Sequence, residues 1–166
     1  MKLFRAEKHG IDSHFIDPDK FSSRKQFDLK VANLLASYST DLVALAGFTR
    51  RLSSTFIERY PESIMNIHPS LLPAFRGLNA QKQALDRGVK ITGCTVHFVT
   101  EKLDDGPIIL QAPVAVREDD NVSELSRRIR RQEHKIYPQA IELFARDCLE
   151  IREGIVHIKN HCQKIF

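Results

Sequence analysis

The sequence predicts a single α/β domain in which helices flank a mostly parallel sheet. Helical and extended patterns alternate from one end of the chain to the other, as expected when strands are connected through helices. The run at 42–46 is entirely apolar, and the run at 64–67 is apolar except for Asn66, which is typical of strands covered on both faces. The 166 residues contain no repeat, linker or low-complexity tract. We therefore expect residues 1–166 to fold as one domain.

Local patterns justify each element of the N-terminal half. Helices are predicted where apolar residues recur every three or four positions, and strands where apolar or β-branched residues run together. The segments are a helix over 4–9, a strand over 13–16, a helix over 22–37, a strand over 42–46, a helix over 53–60 and a strand over 64–67. Gly10 ends the first helix, and Ser23 stands at the N-cap of the second.

The same rules give the C-terminal half. The segments are a helix over 80–86, strands over 92–100 and 108–116, a helix over 121–137 and two short strands within 149–158. The Leu-Asp-Asp-Gly-Pro turn between the two long strands predicts that they pair as a hairpin. Pro138 is expected to kink or restart the long helix, because proline removes a helical hydrogen bond.

Charge and hydropathy restrict the class of partner. The formal charge of +4 and the isoelectric point near 9.1 favour anionic partners in general. The four arginines at 127, 128, 130 and 131 have no interleaved aromatic residues, so we expect no nucleic-acid binding.

No apolar run approaches a membrane span of roughly 20 residues, and the N-terminus does not resemble a signal peptide. A cytoplasmic protein is expected, either monomeric or homodimeric.

The cysteines and histidines predict neither a disulfide frame nor a metal site. Three cysteines, at 94, 148 and 162, are an odd number without metal-ligand spacing, which favours reduced thiols. His157, His161 and Cys162 are close in sequence, but no second cluster completes four ligands.

Two segments hold the strongest candidates for chemistry. Asn66 and His68 stand at i and i+2 at the end of a buried strand, so both side chains lie on one face. Asp104 lies in the predicted turn, and a carboxylate beside a histidine favours the charged imidazolium. Taken singly, His68 is also compatible with a structural histidine, and Asp104 with an ordinary turn residue. Glu133 lies on or beside the inward stripe of the long helix, which suits either a surface residue or one that faces a ligand.

Four segments together resemble one known family. They are LAGFTRRLS at 45–53, NIHPSLLPAFRG at 66–77, GCTVHFVTEKLDDGPIILQ at 93–111 and EHKIYPQAI at 133–141. They closely resemble phosphoribosylglycinamide formyltransferase, the folate-dependent glycinamide ribonucleotide transformylase. The resemblance implies a Rossmann-like formyltransferase fold and transfer of a formyl group from 10-formyltetrahydrofolate to glycinamide ribonucleotide, without a metal.

The resemblance also implies roles for individual residues. Asn66 would stabilise the oxyanion, His68 would donate a proton, and Asp104 rather than Asp105 would support His68. The implied folate site consists of Arg24, Thr49, Arg50, Arg51, Leu52, Asn66, Val99, Thr100, Leu103 and Asp104. Arg51 stands where the family more usually has an apolar residue. Glu133 would contact the ribonucleotide.

The family carries a further N-terminal strand, glycine-rich phosphate loop and helix. This sequence starts within a helical pattern and does not contain that unit. We therefore expect a catalytic domain that is N-terminally truncated relative to the family. Two alternatives to the transferase follow. One is a formyltetrahydrofolate hydrolase with water as the acceptor, and the other is a catalytically impaired folate-binding fragment.

Overall fold

The computed structural model describes residues 2–165 and confirms an α/β fold with helices flanking a sheet. The helices are α1 (Lys2–Lys8), α2 (Arg24–Ser37), α3 (Ser54–Arg59), α4 (Ala80–Asp86) and α5 (Val122–Ala145). The strands are β1 (Val43–Leu45), β2 (Ile64–His68), β3 (Ile91–Phe98), β4 (Ile108–Ala115), β5 (Leu149–Arg152) and β6 (Ile155–Ile158). Short 3₁₀ helices cover Pro18–Lys20 and Asn160–Ile165.

The main sheet is mixed, so the expectation of a mostly parallel sheet needs correction. Its order is β1-β2-β3-β4. β1 and β2 are parallel, whereas β3 runs antiparallel to both β2 and β4. The predicted hairpin of β3 and β4 is confirmed, and a hairpin makes neighbouring strands antiparallel. β5 and β6 form a separate antiparallel pair.

Helix α5 packs across the sheet and closes the main core. It begins with a capping box in which Asn121 and Glu124 bond each other's backbone, as is common at helix N-termini. Its buried residues include Leu125 and Ile129, which join the cluster formed by Met65, Val96 and their neighbours. The backbone of β2 and β3 is therefore held between the helix and the other strands.

The helix passes through Pro138 without ending, which corrects the expected boundary near residue 137. An internal proline costs roughly 3 kcal/mol. Beyond it, Ala140 and Leu143 remain fully buried, and before it the Tyr137 hydroxyl donates to the carbonyls of Leu45 and Met65 at 2.8 and 3.1 Å. Packing on both sides of the proline keeps the helix continuous.

The predicted strand over 13–16 is wrong, because this segment is irregular. Phe15 is 74% exposed, and the segment pairs with no described strand. It is attached instead through the His14 Nε2 atom, 2.6 Å from the Tyr38 hydroxyl. A strand pattern this short has no stability without a neighbour.

The prediction of three reduced cysteines is wrong for two of them. Cys148 and Cys162 form a disulfide, with their Cα atoms 5.9 Å apart, while Cys94 is free and buried. Cys148 follows α5 directly, and Cys162 lies in the last 3₁₀ helix. The β5–β6 hairpin reverses the chain direction and so brings these two positions together. The number of residues between the two cysteines does not by itself reveal this contact.

Among residues 2–165, none of the helices is both long enough and apolar enough to cross a membrane.

Candidate active site

The polar pair predicted at the end of the second buried strand lies at the C-terminal end of β2. Asn66 is half-buried and His68 is 5% exposed. β2 pairs in parallel with β1 and antiparallel with β3, so its backbone is held on both edges. The two side chains therefore start from a rigid platform, on the same face of the strand.

Both ring nitrogens of His68 face acceptors. Nε2 is 2.9 Å from the carbonyl oxygen of Phe75, and Nδ1 is 3.4 Å from Oδ2 of Asp104. Since a carbonyl can only accept, Nε2 carries a proton. Both N–H groups of an imidazolium would have a partner here. The site thus suits a His68 ring that acts as a charged hydrogen-bond donor.

Asp104 connects three parts of the site. Its Oδ2 atom accepts the backbone N–H of Gly77 at 2.8 Å and faces His68, while Oδ1 is 3.8 Å from Nε2 of His97. The side chain is only 10% exposed. Asp105 points elsewhere and pairs with Arg76 and Lys102. The two adjacent carboxylates therefore have different surroundings, and only Asp104 faces His68.

His97 also lies in the site. It is directly opposite Asn66 in the β2–β3 register and is 2% exposed. Burial lowers the pKa of His97, while its hydrogen bond to the Phe98 carbonyl and the charge of Asp104 oppose that shift. The Nδ1 proton goes to the Phe98 carbonyl at 2.8 Å. Nε2 of the neutral ring can then accept the Asn66 amide N–H at 3.4 Å, which orients that amide.

A pocket of about 560 Å³ opens beside these residues. Its volume lies within the range of small-molecule sites. The predicted residues that line it are Thr49, Arg50, Arg51, Leu52, Asn66, His68, Val99, Thr100, Leu103 and Asp104. Further lining comes from Phe48, Leu78 and His97, of which the sequence had not predicted any. The polar residues at 66, 68, 97 and 104 are thus brought together at a largely apolar cleft.

Arg24 is the one predicted folate residue that does not line this pocket. It lines a neighbouring open depression of about 680 Å³ together with Arg50 and Arg51. Arg50 and Arg51 line both cavities, so the two are contiguous through a basic rim. Arg51 also donates to the Glu101 carbonyl at 3.1 Å, linking the loop after β1 to the loop after β3.

A buried carboxylate holds the loop that carries residues 49–52. Asp28, in α2, is 2% exposed and accepts the backbone N–H of Ser53 at 2.6 Å. Hydrogen bonds to charged groups contribute roughly 1.5–3 kcal/mol. This contact fixes the end of the loop against α2.

Glu133, on α5, does not line the pocket. It is half-buried. Burial raises the pKa of its carboxyl, and the nearby Arg130, His134 and His68 oppose that rise. The pKa of the buried Cys94 thiol is raised to about 12, mainly by burial and further by the charge of Glu133. Glu133 is therefore near His68, in line with an inward-facing position.

The arrangement can stabilise negative charge that develops on a substrate oxygen. An amide and an imidazole on one strand end supply hydrogen-bond donors, and a buried carboxylate supports the imidazole. Donors that are already in place act strongly in a site with little water. The Phe75 carbonyl now occupies the Nε2 donor of His68, and a substrate oxygen, being the same kind of acceptor, would replace it.

Comparison with known proteins gives a consistent assignment. Residues 1–141 match the model of the formyl transferase family. Phosphoribosylglycinamide formyltransferase of Escherichia coli is 43% identical over 92% of this chain and 72% of its own length. The crystal structure of glycinamide ribonucleotide transformylase 1 from Symbiobacterium toebii is 52% identical, with a TM-score of 0.93, over 95% of this chain and 74% of that one.

Two further similarities bear on the size and function of the chain. The trifunctional purine biosynthetic protein adenosine-3 of Bos taurus is 47% identical over 92% of this chain. The chain spans only 15% of the length of that relative. A formyltetrahydrofolate deformylase from Pseudomonas syringae has a TM-score of 0.87, covering 95% of this chain and 53% of that one, with a lower identity of 29%. The chain therefore belongs to the formyl transferase family.

Proposed function

We propose that this chain transfers a formyl group from 10-formyltetrahydrofolate to the amine of glycinamide ribonucleotide, a step of purine biosynthesis, and that residues 1–166 act as one catalytic domain. The observation that carries the proposal is the convergence of Asn66, His68 and Asp104 at the edge of one pocket. The similarity to named formyltransferases supports the same reaction.

The pocket lined by residues 45–52 and 97–104 is our candidate site for the folate. Its apolar wall, with Leu52, Val99 and Leu103, suits a flat heteroaromatic ring. Arg50 and Arg51 link it to the basic depression that contains Arg24. A folate carries carboxylates at the end opposite its ring, and arginine binds carboxylates in a bidentate manner. The two cavities thus match the two chemical ends of the donor.

In the proposed reaction the neutral amine attacks the formyl carbon, and negative charge builds on the formyl oxygen. The Asn66 amide and the His68 imidazolium donate to that oxygen. Asp104 keeps His68 oriented and favours its charged form. As the intermediate collapses, the bond between the carbon and the folate nitrogen breaks, and the amine loses its proton while the folate nitrogen gains one. His68 can assist that transfer as a general acid.

Glu133 is our candidate for contact with the ribonucleotide. Its carboxyl is half-buried near His68, and a buried carboxylate needs a partner. The amine or a hydroxyl of the acceptor would supply one. This assignment predicts that Glu133→Gln raises the KM for the ribonucleotide more than the KM for the folate.

The test is to supply both substrates and follow the fate of the formyl group. Formylated glycinamide ribonucleotide, with deformylated folate in equal amount, supports the transferase. Formate release that does not depend on the ribonucleotide would instead support a deformylase, the activity named for a structural neighbour. Folate binding without either product would mark a catalytically impaired fold. In that case the assignment of residues 1–166 as one catalytic domain fails.

A further inference from the structure

We propose that Cys148, His161 and Cys162 form a binding site for a thiophilic divalent cation such as Zn²⁺ when the Cys148–Cys162 disulfide is reduced. One ligand atom from each residue lies within 4.8 Å of the other two. None of the three lines either described cavity. The site is therefore separate from the proposed formyl-transfer centre.

The geometry needs only a local adjustment to accept a cation. Zinc bonds sulfur at about 2.3 Å and imidazole nitrogen at about 2.0–2.1 Å, so ligand atoms around a tetrahedral ion are roughly 3.5–3.8 Å apart. The present group is already within reach of this spacing. Once the disulfide is cleaved, the two sulfurs can separate by side-chain rotation, because the Cα atoms are 5.9 Å apart.

The surroundings favour the metal complex over two free thiolates. The cysteines are 0% and 3% exposed and pack in an apolar cluster with Leu143, Leu149 and Ile158. Such surroundings oppose free thiolate charge. Two thiolates, a neutral imidazole and a divalent cation have no net charge. The complex therefore fits an apolar pocket that would disfavour the separate ions.

His161 places the fourth coordination position toward solvent. Its side chain is exposed, whereas both sulfurs are buried. Among residues 2–165, the structure places no fourth side-chain ligand in this group, so water would complete a tetrahedron.

The cation and the disulfide exclude each other, because both use the same two sulfurs. Reduction by a phosphine with water converts the disulfide into two thiols and the phosphine into its oxide. Coordination of the cation then releases the two thiol protons. Either state would attach the last 3₁₀ helix, Asn160–Ile165, to the junction of α5 and β5.

The experiment is a titration of the full chain, reduced with a phosphine and kept anaerobic. Zn²⁺ affinity is measured against a chromophoric chelator, and Co²⁺ is used to detect thiolate coordination by its sulfur-to-metal absorption. We expect one cation per chain and two thiolates per cobalt. The oxidised chain should bind at least about 100-fold more weakly, since even groups that only orient a metal ligand contribute 10–100-fold.

Three variants test the assignment of the ligands. Cys162→Ser and His161→Ala should each weaken binding at least about tenfold, while His157→Ala, on the adjacent exposed strand position, should bind like the parent chain. His161 is exposed, so its variant remains informative if Cys162→Ser does not fold. Absence of stoichiometric binding, equal binding by the oxidised chain, or unchanged affinity in His161→Ala would overturn the proposal.

Discussion

Replacement of Asp104 by asparagine is the sharpest test of the proposed catalytic group. The substitution keeps the size of the side chain and an oxygen that can accept the Gly77 N–H. It removes the negative charge 3.4 Å from Nδ1 of His68. It also allows an amide N–H to face the ring nitrogen. The change therefore removes the charge that faces His68 and largely keeps the packing of the turn.

The magnitude follows from the distance. Two unit charges 3.4 Å apart interact by about 5 kcal/mol at an effective dielectric constant of about 20. Only the part of this energy that increases in the transition state affects kcat. Asp104 is not itself a donor to the substrate but supports the His68 donor, and the loss of one preorganised donor costs about 10²–10³ in kcat. We therefore expect Asp104→Asn to lower kcat by about 10²–10³, with little change in the affinity for folate.

The neighbouring carboxylate provides the matched control. Asp105 pairs with Arg76 and Lys102 at a more exposed position, where its side chain is 28% exposed. Exposed ion pairs contribute about 0–1 kcal/mol. Asp105→Asn should therefore leave kcat within a few-fold of the parent value.

The assay is steady-state formyl transfer at saturating ribonucleotide, with folate binding measured separately by calorimetry. Equal losses of kcat in Asp104→Asn and Asp105→Asn would refute the reasoning. So would a loss in Asp104→Asn that lies entirely in folate affinity, because the carboxylate would then act in binding rather than in the reaction.

Three further predictions concern the residues that support the site. Gly106→Ala should lower the free energy of unfolding by about 1–3 kcal/mol, because a Cβ atom there would lie 1.8 Å from the Phe98 carbonyl oxygen; an unchanged urea midpoint would contradict this. Asp28→Ala should lower the free energy of unfolding by about 1–3 kcal/mol by leaving the buried Ser53 N–H without its acceptor, and Asp28→Asn, which retains an oxygen, should recover part of that loss. Burial lowers the pKa of His97 below its usual 6.5, so the unfolded chain takes up this proton first and stability falls as the pH decreases through 6.5. His97→Gln should therefore lose less unfolding free energy than the parent chain between about pH 7.5 and about pH 5.5, and an identical loss in both proteins would count against a buried, neutral ring.

Much of the local structure could be predicted from sequence because its causes are local. The apolar runs of β1 and β2, the cap at Ser23 and the hairpin turn before β4 each depend on residues within one element or its ends. The same holds for Asn66 and His68, whose common face follows from the two-residue period of a strand. Asp104 became a specific candidate only through the family resemblance.

Tertiary structure decided the features that join distant parts of the chain. The Asn66 to His97 contact spans 31 residues, and the contact of Asp104 with Gly77 spans 27. Their existence depends on strand register and on how the turns fold back, which no local pattern specifies. The separation of Arg24 from the main pocket has the same cause.

The sequence by itself determined an α/β domain of the formyl transferase family and the strand end that carries Asn66 and His68. Short-range periodicity and the order of motifs depend only on residues that are close in sequence. Only the tertiary structure decided that the sheet is mixed, that α5 continues through Pro138, and that Cys148 meets Cys162. Those outcomes depend on packing between elements, where burial of apolar surface outweighs local preferences.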